Sequence, residues 1–158
     1  MNLNNLANIA TIIEALFVII SVVFIWRELR ENTKLSRTAN SQSLVELSSP
    51  FNMQLIQDRQ MAELWVLGSE KYDNMDVVDK YRYKSLLVWW LILHENIFYQ
   101  KQNDLLDSAI YAAWASDLKD FVKQQNLTRL WDELKGNFQS EFVERVTELI
   151  EEHKTDLR

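Results

Sequence analysis

The most extreme hydrophobic pattern in the chain is residues 6–26, LANIATIIEALFVIISVVFIW, apolar on every helical face except one narrow polar line. At 1.5 Å per residue the run spans roughly 31 Å, matching a bilayer hydrocarbon core of about 30 Å. Its Leu, Ile, Val and Phe residues each favour insertion by about 0.3–0.6 kcal/mol, which together outweigh the roughly 3 kcal/mol cost of one central acid, Glu14. Trp26 closes the run where an interfacial aromatic belongs. The segment is therefore predicted to be a transmembrane helix. A soluble helix would need a broader polar face.

The flanks orient it. Residues 1–5 carry no Lys or Arg, whereas Arg27, Arg30, Lys34 and Arg37 follow the run. Basic residues stay inside, so the amino terminus is expected outside and the remaining chain in the cytoplasm. MNLNN lacks the basic start of a signal peptide, and no small-residue cleavage site follows.

Beyond Trp26 the pattern changes to amphipathic helices. The span is expected to continue unbroken to Ser49, where Ser49 caps a new helix with Pro50 at its first position. That helix, FNMQLIQDRQMAELWVL, should end near Gly68, with SEKYDNMD as a loop. Asp76 then caps VVDKYRYKSLLVWWLILHENIFYQKQ, whose apolar centre LLVWWLIL is too short to cross a bilayer and reads as a core helix. After a turn at 103–107, Asp107 caps SAIYAAWASDLKDFVKQQ. Asn126 opens a short helix holding Trp131, which Gly136 ends, and Asn137 caps the last helix. On that helix Phe138, Phe142, Val146, Leu149 and Ile150 form one face, and Glu141 and Arg145 are spaced to pair. The expected fold is all-α: a transmembrane anchor (1–27), a helical stalk (28–48) and a small cytoplasmic helical bundle (49–158).

Composition narrows the function. Two glycines and one proline in 158 residues argue against a many-stranded fold. The absence of cysteine removes disulfides and thiolate chemistry. A net charge of −6 with no long basic run makes nucleic acid an unsuitable partner. Enzyme motifs are missing as well. The only histidines are His94 and His153, and Phe98 breaks a metal-binding H-E-x-x-H at its second histidine. No Glu-x-x-His pair, glycine-rich phosphate loop or nucleophile elbow is present. The chain is read as a non-enzyme without cofactor or metal. His94 and Glu95 remain candidate buried polar residues, since they border the driest stretch of the core helix. Trp65, Trp89, Trp90, Trp114 and Trp131 are read as core.

The sharpest site is the polar line in the span. Alternating steps of four and three from Ala7 pass through Thr11, Glu14, Val18, Ser21, Ile25, Glu28, Asn32 and Leu35, a heptad seam. Polar groups in hydrocarbon must face protein or water, and the chain offers no second span to cover them. Two functions follow. In the first the protein is a homo-oligomeric membrane scaffold zipped along this seam. In the alternative it is a cation or proton conduit lined by Glu14, or an accessory subunit paired with another membrane protein.

Several short stretches carry a resemblance: Glu14 within the span, the run Glu28-Leu29-Arg30-Glu31-Asn32-Thr33, His94-Glu95-Asn96, Leu105-Leu106-Asp107 with Trp114, and Leu130-Trp131 with Phe138 and Phe142. In these the chain resembles, over roughly residues 8–152, a widespread group of small bacterial single-span proteins of unknown function. The resemblance implies a bacterial inner (cytoplasmic) membrane protein with an all-helical domain, and it brings no activity or catalytic residues.

Overall fold

A computed structural model describes the backbone of residues 3–125 and 127–156 and the side chains of 11–125 and 127–155. Among the described residues all regular structure is helical, as the patterning predicts. The chain divides into two compact units, Met1–Ala39 and Asn40–Arg158.

The first unit is the leading part of α1 (Leu3–Gln57). Every side chain from Thr11 to Ser36 is exposed. Ser21 and Thr33 donate their hydroxyls to carbonyls one turn back, those of Phe17 and Leu29, at 2.8 Å each. The Arg30 guanidinium lies over the Trp26 ring, 5.2 Å from its centroid.

The second unit is a helical bundle. It begins with the end of α1, where Leu44, Ser48 and Phe51 are buried. The expected break at Ser49–Pro50 does not occur, and α1 runs through Pro50 to Gln57. A helix-interior proline costs about 3 kcal/mol, so packing must hold it. Phe51, the next residue, supplies that packing by stacking on Trp89 at 4.9 Å and meeting Trp65 edge-on at 5.0 Å. Ser49 is not a cap either. Its hydroxyl and that of Ser48 both donate back to the Val45 carbonyl, at 2.7 and 3.2 Å. The break falls at Asp58, whose carboxylate accepts from the Gln60 and Met61 amides and caps α2 (Arg59–Lys71).

Gly68 does not end α2 but sits buried inside it, where a side chain would collide with the ring of Tyr83. A 3₁₀ turn, Tyr72–Asn74, leads to Asp76, which caps α3 (Val77–Gln102) as expected by accepting from the Asp79 amide. Tyr83, Leu87, Trp90, Leu91, Leu93, His94 and Ile97 of α3 are buried, which makes α3 the core helix. Asp104 closes the following turn with φ 57°, a left-handed conformation that Asp tolerates. Asp107 accepts from the Ala109 amide and caps α4 (Ser108–Gln124). Asn126 lies outside the described residues. A 3₁₀ turn (Leu127–Arg129), α5 (Trp131–Leu134) and a second 3₁₀ turn (Lys135–Asn137) holding Gly136 follow.

The last helix, α6 (Ser140–Asp156), buries Phe142, Val146, Leu149 and Ile150 as expected, with Phe138 half-buried against the core. Two expectations at its start are corrected. The Asn137 amide donates to the Leu134 carbonyl and so closes the preceding turn, not α6. Arg145 pairs with Glu148 at 3.2 Å, while Glu141 accepts from the Gln102 amide across the bundle. Both are surface contacts, in which small differences of rotamer decide the partner.

Candidate functional site

Two candidate sites arise from the sequence: the seam on α1, and His94 with Glu95 on α3. The structure places His94 and Glu95 in separate roles, as their divergence of about 100° around a helix requires. The His94 ring is almost fully buried, 2% exposed, and meets Trp90 and Trp114 edge-to-face at 5.6 and 5.7 Å. Its Nε2 lies 3.0 Å from Oδ2 of Asp117 on α4. A carboxylate only accepts, so Nε2 carries the shared proton. Glu95 is half-buried, and its Oε1 accepts from the Gln139 backbone N–H at 2.8 Å, just ahead of α6. That position, one of the orphan donors at a helix start, favours an acid. The pair thus ties α3 to two different neighbours.

Asp117 is the residue that sequence reasoning missed. Its signal was its spacing, three residues after Trp114, which puts an acid and an indole on one face of α4. Beside His94 is a cavity of about 10 Å³, lined in part by Tyr111, Trp114, Leu118 and Arg145. That is room for about one water and not for a substrate. Among the described residues no group of His, Asp or Glu could hold a metal ion. Two further polar contacts are structural. Burial raises the Tyr83 phenol far above its ordinary range, and its neutral hydroxyl donates to Gln125 Oε1 at 2.9 Å. The carboxylate of Glu133 accepts from Lys84 at 3.1 Å and holds that ammonium above its usual range.

The seam has a different character. Ala7 lies outside the described side chains. Thr11, Glu14, Val18, Ser21, Ile25, Glu28 and Asn32 are all exposed. So are the residues around them: Ile12, Ile13, Leu16, Phe17, Ile19, Ile20, Val22, Val23, Phe24 and Trp26 are each about half exposed or more. The result is a helix surface that is apolar all round and carries one polar line. Among the described residues no helix is long and apolar enough to cross a membrane. No protein-family model matches the chain, and the search of characterised proteins and of solved structures finds no match either.

Proposed function

We propose that the chain is a homo-oligomeric, membrane-anchored scaffold of the bacterial inner membrane, held in the bilayer by residues 6–26 and assembled through the polar line on that helix. The observation that carries this reading is the exposed, all-round apolar surface of α1 from Ile12 to Trp26 with Glu14 in its midst. Such a surface far exceeds what a monomer leaves in water, and a lone helix satisfies its own backbone in lipid. Glu14 makes no hydrogen bond or ion pair with another described residue, and an unpartnered acid in hydrocarbon calls for a protein neighbour. The 4-3 spacing of Thr11, Glu14 and Ser21 is that of a helix–helix seam. Arg27, Arg30, Lys34 and Arg37 support an inside bundle and an outside amino terminus. Membership in the group of bacterial single-span proteins is part of the same proposal and rests on the stretches named for it.

The test is crosslinking and native mass spectrometry of the full-length protein in mild detergent. The wild type should be an oligomer of one chain. Glu14→Gln keeps shape and hydrogen bonding and should leave the assembly intact, whereas Glu14→Lys should weaken it by at least tenfold. A wild-type monomer, or an assembly indifferent to Glu14→Lys, would refute the seam. Co-purification with one different membrane protein would replace the scaffold with the accessory-subunit reading. Ion flux in liposomes that Glu14→Gln abolishes would favour a conduit.

A further inference from the structure

On α1, Arg27, Arg30, Lys34 and Arg37 recur at spacings of three, four and three. At 100° per residue all four fall within about 80° of the helix circumference. Glu28, Asn32 and Leu35 of the seam fall on roughly the opposite side of the same helix. The basic stripe is thus separate from the surface that the scaffold reading assigns to other copies.

Among the described residues three of the four cations stand in no ion pair. Glu31 stands four residues after Arg27 and three before Lys34, spacings at which helical ion pairs form. Yet among the described residues no ion pair holds Arg27, Arg30 or Lys34, and all three are exposed. Arg30 instead lies over the Trp26 ring. An arginine over an interfacial indole keeps its fork of donors at headgroup level.

We infer that this stripe is a docking surface for anionic phospholipid headgroups, on the side of the bilayer where the run ends. The inference rests on the membrane-anchored reading. A headgroup layer is about 5–8 Å thick on each side of the hydrocarbon. Arg27 and Arg30 lie within roughly 6 Å of Trp26 along the axis and reach phosphates directly. Lys34, about 12 Å past Trp26, remains within one Debye length of the charged surface. The arginine fork binds a phosphodiester through two parallel hydrogen bonds, and lysine adds a point charge. Continuity with the apolar run selects lipid over an acidic protein as the occupant.

The experiment uses the full-length chain reconstituted in phosphatidylcholine bilayers with trace spin-labelled phosphatidylglycerol or phosphatidylcholine. The electron spin resonance spectrum reads which label is held at the protein boundary. The wild type should hold phosphatidylglycerol roughly three- to tenfold more strongly, a preference that falls as salt is raised. The triple variant R27Q/R30Q/K34Q should bring the ratio close to one, and R27K/R30K should keep most of it. Inorganic phosphate should compete no better than chloride at equal ionic strength, which distinguishes a lipid surface from a site for free phosphate. Equal retention of both labels by the wild type, or a preference that survives the triple variant, would overturn the inference while leaving the anchor standing. A preference indifferent to salt would do the same without any variant. Release of the wild-type chain from the bilayer by alkaline carbonate would instead remove the anchored reading beneath it.

Discussion

Replacing Gly68 with alanine tests how closely α2 approaches α3. On an exposed helix the change would stabilise by about 1 kcal/mol, because glycine is the more costly residue there. Inside this bundle the added Cβ would overlap the edge of the Tyr83 ring, 2.8 Å from Cζ and closer still to Cε2 and Cδ2. The ring has little freedom to yield. Tyr83 is fully buried, and its hydroxyl is held by Gln125 Oε1 at 2.9 Å. Overpacking typically costs about 1–3 kcal/mol, and a displaced buried hydroxyl adds about 1–3 kcal/mol more. Set against the gain in helix propensity, the net loss should be about 1–5 kcal/mol. Urea unfolding of residues 40–158, followed by circular dichroism and tryptophan fluorescence, should show a midpoint lower by roughly 1 M. Gly136→Ala is the control, since nothing lies within 4 Å of its Cβ position and its φ is not positive. That variant should unfold at the wild-type midpoint or slightly above. Adding Tyr83→Leu to Gly68→Ala should recover part of the loss relative to Tyr83→Leu alone. A Gly68→Ala midpoint at or above wild type would refute the close approach.

Two further expectations use the same assay. Asp117→Ala should cost about 1–3 kcal/mol by leaving the buried His94 Nε2 without its acceptor, and the double variant with His94→Leu should cost less than the two changes added together. Pro50→Ala should stabilise by about 1–3 kcal/mol, because it restores a helical amide where α1 already runs unbroken, and a loss of stability would show that the proline is needed for the path of the chain.

The legible parts of this fold were those written in local chemistry. Asp76 and Asp107 cap α3 and α4 because an acid before an apolar-periodic run satisfies amide groups within its own first turn. The apolar centre of α3 predicts a core helix because a segment without a polar face has nowhere else to pack. Breakers were misleading for a complementary reason. Pro50 and Gly68 carry strong local preferences for ending a helix, and both lie inside one. In each case a distant partner decides, the Trp65 and Trp89 rings around Phe51 and the Tyr83 ring over Gly68. Asp117 eluded the sequence for the same reason, since it is separated from His94 by a whole turn and half a helix. Glu95 was found as a residue but not as a role, because the amide it meets belongs to Gln139, far along the chain.

The seam register also bears on how one helix can serve two purposes. Continuing the same count of four and three beyond Leu35 leads to Ala39, Gln42, Glu46, Ser49, Met53 and Ile56, every one of them exposed. It never lands on Leu44, Ser48 or Phe51, the α1 positions that the bundle buries. Those buried positions are themselves spaced by four and three, so α1 carries two interleaved registers. One is filled by the chain's own core and the other is left open along the helix. The open one is rich in polar and small residues between Glu28 and Ser49, where a tight zipper would want Leu and Ile. Under the scaffold reading, assembly must then draw its strength from the apolar run and from Met53 and Ile56. The intervening Asn32 and Gln42 would contribute register more than affinity, since buried polar groups at such positions select a pairing at a cost in stability.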